Sequence, residues 1–315
     1  MQIFWRIVSN FHQRGQSMLM NTEKYFTASD GQRIGYFDEG QGQPIVFLNG
    51  WRGGDYRRTQ PLVDVFQDKE YRCIGYDYRG YGFSPTTGEI SVQLAARDVK
   101  ELLGYLGVDN AILFGISMGG AVLYSFIQQF GHEYCRGFVI ADMPPKTLND
   151  DTWNLGLYQG WYKNEHLQRD LEMMLHRKSF AEFGLDFCAQ MITPHQPGTP
   201  HLEKFDPLTQ QNARELVAMM QLDETMAPMM RYANREYWAS VYACDFREVV
   251  PRISAPTLLI FPDPGSIYSV KVGEWLHSRI KDSELVIPKG TAIGTHLAVL
   301  DPIVDEAFVS DYFRV

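Results

Sequence analysis

Apolar residues follow two periodicities along the chain, and their alternation predicts a layered α/β fold. Short continuous apolar runs, typical of strands buried on both faces of a parallel sheet, occur at residues 44–48, 71–76, 111–114, 137–141, 257–261 and 284–287. Apolar positions three or four residues apart predict helices at residues 59–68, 91–106, from 121 onward, 270–280 and 303–312. Strands and helices that alternate at this spacing favour βαβ units and a parallel sheet.

Two parts of the chain depart from this alternation. Residues 25–29 and 33–39 predict a β-hairpin, because Asp30-Gly31 between them is a two-residue turn signal. Residues 146–246 show no clear strand and are rich in aromatic residues and methionines. We interpret residues 146–246 as a helical cap, inserted into a core that comprises residues 21–145 and 247–315.

Residues 1–20 form a separate amphipathic extension in this interpretation. The apolar residues of this segment fall on one face of a helix: Ile3, Phe4, Ile7, Val8 and Phe11. Arg6 interrupts the apolar stretch and no small-residue cleavage site follows, which disfavours a signal peptide. Three interpretations stay open: an accessory helix docked on the body, an interfacial or oligomer-contact helix, and an extension upstream of a true start at Met18 or Met20.

Composition narrows the class of partner. The formal charge of −9 argues against nucleic acid or an anionic membrane surface as the main partner. No apolar run is long enough to span a bilayer, so we expect no membrane span and a cytoplasmic location. The four cysteines lack metal-ligand spacing and nothing resembles a nucleotide site, so no cofactor or metal is predicted. The oligomeric state is left open.

The clearest chemical signal lies at residues 111–131. An apolar strand ends in Gly115-Ile116-Ser117-Met118-Gly119, and a helical pattern follows. This is G-x-S-x-G in the strand–turn–helix context that makes the motif meaningful. Such a turn strains the middle residue, and glycines at positions 115, 119 and 120 leave room for the strained backbone. Ser117 is therefore predicted to be a nucleophile beside a helix N-terminus, where developing negative charge is favoured.

Three motifs together resemble those of the α/β-hydrolase fold family over nearly the whole chain after residue 24. The first motif is the turn at residues 115–119, and the second is Asp77-x-Arg79-Gly80-x-Gly82-x-Ser84 after a strand. The third is Thr295-His296-Leu297 near the C-terminus. The resemblance implies an α/β-hydrolase fold, with a mostly parallel, doubly wound sheet and an inserted helical cap. It implies much less about the substrate, because one fold hosts many chemistries.

A serine nucleophile needs a base that accepts its proton. His296 is the candidate, because it follows the last predicted strand in a loop with the small residues Gly294 and Thr295. The other seven histidines are interpreted as ordinary surface or core residues.

A tetrahedral intermediate needs backbone donors for its oxyanion. The backbone N–H groups of Met118 and Trp51 are the candidates, since Trp51 lies in the loop after residues 44–48. The family usually carries His-Gly in this loop, whereas this chain carries Asn49-Gly50. An asparagine can still hold the loop through its side chain. Trp51 is also expected to form one wall of the pocket.

The sequence position of the acid that would orient the histidine departs from the family pattern. The usual G-x-x-D turn after residues 257–261 reads Pro262-Asp263-Pro264-Gly265 here, with glycine in the place of the aspartate. Some members carry the acid after the preceding strand, where this chain has Asp142. We therefore predict Asp142 as the acid, with Asp263 and the absence of any acid partner as open alternatives.

The resulting hypothesis is a serine hydrolase with a Ser117-His296-Asp142 triad. Its substrate would be a small or medium carboxylic ester, a lactone or a related apolar acyl or aromatic compound. The alternative is a cofactor-free dioxygenase of the kind that opens 3-hydroxy-4-quinolone rings, which the Asp142 position and the Gly50-Trp51 loop also resemble. Those enzymes tend to carry histidine where this chain has Met118. A ligand-binding member without catalysis is a third hypothesis.

Overall fold

The computed structural model describes residues 24–51, 63, 66, 71–177, 179–192, 205–219, 222, 226–263, 265, 267–289 and 312–313. Within them lie eight strands: β1 (Lys24–Thr27), β2 (Arg33–Gly40), β3 (Gln43–Leu48), β4 (Tyr71–Tyr76), β5 (Ala111–Ile116), β6 (Cys135–Ala141), β7 (Thr257–Ile260) and β8 (Ser283–Val286). Each predicted strand of the parallel type appears within two residues of its expected ends.

The strands form one sheet in the order β1-β2-β4-β3-β5-β6-β7-β8. The β1–β2 and β2–β4 pairs are antiparallel, and all the other pairs are parallel. Alternate residues of the central strands enter two separate apolar cores. Val46, Leu113 and Ile140 belong to one core, whereas the neighbouring Ile45 and Ile112 belong to the other. The prediction of a mostly parallel, doubly wound sheet is therefore confirmed.

The described helices are α1 (Val92–Leu106), α2 (Met118–Phe130), α3 (Asn164–His176), α4 (Ala181–Ile192), α5 (Pro207–Met219), α6 (Pro228–Ala243) and α7 (Lys271–His277). Ser91 caps α1 as its sequence suggests, because its Oγ accepts a hydrogen bond from the Leu94 N–H at 3.2 Å. Helix α2 begins three residues before the position that apolar spacing indicates, because Gly119 and Gly120 in its first turn carry no apolar side chain. No described helix is long and apolar enough to cross a membrane.

Several predicted segments can be compared only in part. Helices α3 to α6 lie between β6 and β7, and the described residues of 146–246 contain no sheet strand. The division into a core and a cap stays a prediction. Residues 1–20 lie outside the described residues, as do most of the helices predicted at 59–68 and 303–312.

The β1–β2 hairpin corrects one expectation. The Gly31 N–H donates to the Ala28 carbonyl, and the Ala28 N–H donates to the Gln32 carbonyl, both at 2.8 Å. The loop therefore has three residues, 29–31, rather than two. Gly31 takes a φ of 84°, which closes this longer turn in the left-handed region.

The turn after β4 is held by a buried ion pair. The Arg79 guanidinium donates two hydrogen bonds, of 2.8 and 2.7 Å, to the Asp98 carboxylate in α1, and a third of 2.6 Å to Asp30. Arg79 and Asp98 are 4% and 0% exposed. From the same turn, the Tyr78 hydroxyl donates to the Asn49 carbonyl in the loop after β3 at 3.0 Å. The ion pair thus supports two neighbouring loops at the carboxyl ends of the strands.

We predict that Asp98→Asn lowers the free energy of unfolding by about 3 kcal/mol, because it leaves a buried guanidinium with reduced compensation. Urea unfolding followed by far-UV circular dichroism measures the change. Asp109→Asn is the matched control, since Asp109 is exposed in the loop after α1, and little change is expected there. Equal effects of the two substitutions would show that the buried pair does not support the fold.

Candidate active site

Ser117 stands between β5 and α2 in a strained conformation. Its φ of 50° and ψ of −123° lie outside the regions that residues other than glycine ordinarily adopt. The Ser117 N–H donates to the Ala141 carbonyl at 2.9 Å, and the Gly120 N–H donates to the Ser117 carbonyl at 2.7 Å. These bonds to the next strand and to the helix hold the turn, as its sequence predicts.

Close backbone packing explains why Gly119 follows the serine. A Cβ atom at position 119 would lie 1.9 Å from the Leu48 carbonyl oxygen, a distance that no side chain can adopt. The first turn of α2 therefore packs directly against the end of β3. This contact brings the loop after β3 to the side of Ser117.

The loop after β3 lies against the serine. A Cβ atom at Gly50 would be 3.4 Å from the Ser117 Cβ and 3.9 Å from its Oγ. Trp51 follows, and Met118 is the first residue of α2 on the other side of the serine. The N–H groups of a first helical turn have no acceptor within the helix, so they can bind an external oxygen.

The Trp51 indole packs against the helical region between β6 and β7. It is 9% exposed and packs on four aromatic rings, with centroid distances of 4.8 to 6.3 Å: Phe180, Phe183, Phe187 and Trp238. The Trp51 Nε1–H donates to the Asn234 carbonyl in α6 at 2.9 Å.

Ser117 borders a small cavity with mostly apolar walls. Its volume is about 30 Å³, and its lining is Trp51, Ser117, Met118, Met143, Leu157, Phe187, Trp238, Val241, Tyr242, Ile267 and Tyr268. A space of this size holds roughly two water molecules. A compact apolar group fits beside the serine better than a polar one, because the walls offer few hydrogen-bond partners.

Asp142 follows β6 and lies beside the serine in the sheet. Ile116 and Ala141, the residues before Ser117 and Asp142, are partners in the β5–β6 register. Asp142 is 1% exposed and has a φ of 48°, and its N–H donates to the Ile260 carbonyl at 2.9 Å. Burial raises the pKa of the Tyr268 hydroxyl well above its usual value, and the nearby negative charge of Asp142 raises that pKa further.

Asp263 occupies a different environment. Its side chain is 38% exposed and forms an ion pair with Lys289, and its N–H donates to the Pro288 carbonyl at 2.9 Å. Asp263 therefore continues β7 beside the extension of β8, one strand farther from β5 than Asp142. His296 lies outside the described residues, so its role stays a prediction.

Several cavity residues were not predicted from the sequence. Trp238, Val241 and Tyr242 line the cavity from one face of α6, and their spacing of three and four residues is the signal that indicates this face. Met143 and Tyr268 follow the ends of β6 and β7 along the chain. Position after a parallel strand end is itself a sign of proximity to the site.

The chain resembles known proteins in sequence and in fold. The family model for the alpha/beta hydrolase fold matches residues 43–185. A non-heme chloroperoxidase from Kitasatospora aureofaciens is 27% identical over 272 residues, 85% of this chain and 91% of that protein. A 3-oxoadipate enol-lactonase from Acinetobacter baylyi is 26% identical over 244 residues, 77% of this chain and 79% of that protein.

A solved structure of an esterase from Exiguobacterium antarcticum superposes with a TM-score of 0.72 at 20% identity. The superposition covers 93% of this chain and all of that one. At this identity the likeness concerns the fold alone. By its matched segment, its sheet and its structural likeness, this chain has the α/β-hydrolase fold.

Proposed function

We propose that this protein is a serine hydrolase that cleaves a small carboxylic ester, a lactone or a related acyl substrate. The observation that carries the proposal is the strained Ser117 at the N-terminus of α2, bordering an apolar cavity. A turn of this kind exposes a serine hydroxyl beside backbone donors, which is the arrangement that acyl transfer requires.

In the proposed reaction, the Ser117 Oγ attacks the substrate carbonyl while His296 accepts the hydroxyl proton. The oxyanion then receives hydrogen bonds from the N–H groups of Met118 and Trp51. His296 returns the proton to the leaving alcohol, or to the ring oxygen of a lactone. Water, deprotonated by His296, then hydrolyses the acyl-enzyme and releases the acid.

Asp142 is the proposed acid that orients His296. Its burial and its place beside Ser117 favour this role, because a carboxylate shielded from water interacts more strongly with an imidazolium. The strained backbone of Asp142 supports the same assignment, since strain of this kind concentrates at functional sites. The Asp263 carboxylate forms an ion pair with Lys289 at the sheet edge, which disfavours Asp263 as the acid that orients His296.

The cavity supports a short acyl group. Its small volume and mostly apolar walls favour a compact apolar acyl group beside the serine. An esterase and an enol-lactonase among the similar proteins agree with this substrate class.

A fluorophosphonate probe tests the nucleophile. We expect the wild-type protein to gain one covalent adduct on Ser117 by intact-mass and peptide mass spectrometry. Ser117→Ala should remain unlabelled and lose at least roughly 10⁴-fold in esterase kcat. This variant keeps a Cβ atom, so the strain of the turn is unchanged. Labelling elsewhere, or an active Ser117→Ala, would rule out Ser117 as the nucleophile.

Asparagine substitutions separate the two candidate acids. Asp142→Asn should lower kcat by up to about 10⁴-fold, because the histidine loses the carboxylate that orients it. Asp263→Asn is the matched control and should change kcat little, because its partner is Lys289. Steady-state hydrolysis of p-nitrophenyl acetate measures both. The reverse ranking would assign the acid to Asp263.

Acyl-chain length tests the cavity. Ile267→Ala, at the cavity wall, should raise the ratio of kcat/KM for p-nitrophenyl butyrate over acetate about tenfold, because a pocket discriminates methylene groups by contact. Ile280→Ala is the control, since Ile280 is equally buried at 1% but does not line the cavity. Both variants should lose about 2–5 kcal/mol of stability. Equal ratios in folded variants would show that this cavity does not hold the acyl group.

A further inference from the structure

We propose that Asn234 of α6 is a positioning residue for the oxyanion site. In this proposal Asn234 holds the Trp51 indole, and through it the Trp51 backbone N–H, where that N–H meets the oxyanion. The proposal rests on the hydrolase function proposed above. It assigns a catalytic consequence to a residue outside the cavity lining, whose backbone carbonyl binds the indole and whose side chain holds α6 against the turn after β4.

Asn234 joins α6 to two loops of the sheet. It is fully buried. Its backbone carbonyl accepts the Trp51 Nε1–H at 2.9 Å, from a residue 183 positions away. Its side-chain Oδ1 accepts the Tyr81 hydroxyl at 2.7 Å, from the turn after β4. These bonds connect α6 with the loops after β3 and β4.

The orientation of the Asn234 amide follows from its partners. The Nδ2 group donates to the Met230 carbonyl at 2.7 Å. The amide oxygen cannot take this place, because it and the carbonyl are both acceptors. The Oδ1 atom therefore points at Tyr81, and the tyrosine hydroxyl must donate. An amide with both ends engaged in a buried site has one favourable orientation, which makes it suited to fix neighbouring groups.

The bond to Asn234 gives the Trp51 indole a directional constraint. The surrounding rings of Phe180, Phe187 and Trp238 pack on the indole, but ring packing alone tolerates sliding and tilting. The hydrogen bond at Nε1 fixes the angle of the ring. Two residues earlier in the chain, the Asn49 carbonyl accepts a hydrogen bond from the Tyr78 hydroxyl at 3.0 Å. Residues 49–51, beside Ser117, are thus held at two points.

A displaced donor lowers catalysis without removing it. Complete loss of one oxyanion donor costs about 10²–10³ in kcat. Because the Trp51 N–H stays in the loop when Asn234 is changed, we expect a smaller loss, of roughly 10- to 100-fold, from misplacement. Oxyanion donors act in the transition state, so kcat should fall while KM changes little.

The test uses Asn234→Ala, Trp51→Phe and the double variant of the full chain, with p-nitrophenyl acetate and a fluorophosphonate probe. Trp51→Phe keeps an aromatic ring, removes the indole N–H that the Asn234 carbonyl binds, and makes the ring smaller. Each single variant should lose roughly 10- to 100-fold in kcat and in the rate of labelling. Asn234→Ala keeps the backbone carbonyl but removes the side-chain bonds to Tyr81 and Met230 that hold it in place, whereas Trp51→Phe removes the indole N–H. The double variant should lose little more than the more impaired single variant, because both substitutions disturb the same contact.

Tyr76→Phe is the matched control. It removes a buried tyrosine hydroxyl that donates to the Ala95 carbonyl in α1 at 2.8 Å, away from the cavity. It should shift the unfolding midpoint and leave kcat unchanged. A purely structural role for Asn234 predicts the same behaviour for Asn234→Ala, so a folded Asn234→Ala variant with unchanged kcat would overturn the proposal. Independent, multiplicative losses in the double variant would overturn it as well.

Two further outcomes are decisive. If Asn234→Ala does not fold, Trp51→Phe decides alone: a fall in kcat at constant KM supports the proposal, and an unchanged kcat contradicts it. If the wild-type protein is not labelled and hydrolyses no ester, the proposed function itself fails. That result is distinct from a labelled, active wild type whose variants lose nothing.

Discussion

The site depends on one close backbone contact, between the first turn of α2 and the end of β3. Position 119 admits no side chain, because a Cβ atom there would overlap the Leu48 carbonyl oxygen. The contact sets the strained turn at Ser117 against the loop that carries Gly50 and Trp51. A single steric constraint therefore brings the candidate nucleophile and a candidate oxyanion donor together, and the strain at Ser117 is held by the surrounding sheet and helix.

The helices between β6 and β7 complete the cavity from outside the sheet. This region leaves and rejoins the sheet at one place, where the Phe246 N–H donates to the Pro145 carbonyl at 2.8 Å. Away from that place, the bonds of Asn234 to Trp51 and Tyr81 tie α6 to the strand ends. The cavity wall formed by α6 is thus anchored by polar contacts as well as by aromatic packing.

The order of the strands decides which of the two candidate acids lies next to Ser117. Asp142 and Ser117 follow adjacent strands, so their backbones lie about one strand spacing apart, roughly 5 Å. Asp263 belongs to the β7–β8 edge, where an exposed lysine neutralises it. A buried carboxylate interacts strongly with a nearby cation, whereas an exposed pair is weakened by water and salt.

The sequence alone determined the parallel strands, the helices with regular apolar spacing and the turn at Ser117, because each of these follows from short-range periodicity and glycine placement. The predictions of a two-residue hairpin loop and of the first residue of α2 were wrong, because glycines at both places give no apolar signal. Only the tertiary structure decided which aromatic rings surround Trp51, that Asn234 joins two loops, and that Asp142 lies beside the serine. These contacts join residues as far as 183 positions apart, and no local pattern encodes them, since they arise only when the sheet brings separate strand ends together.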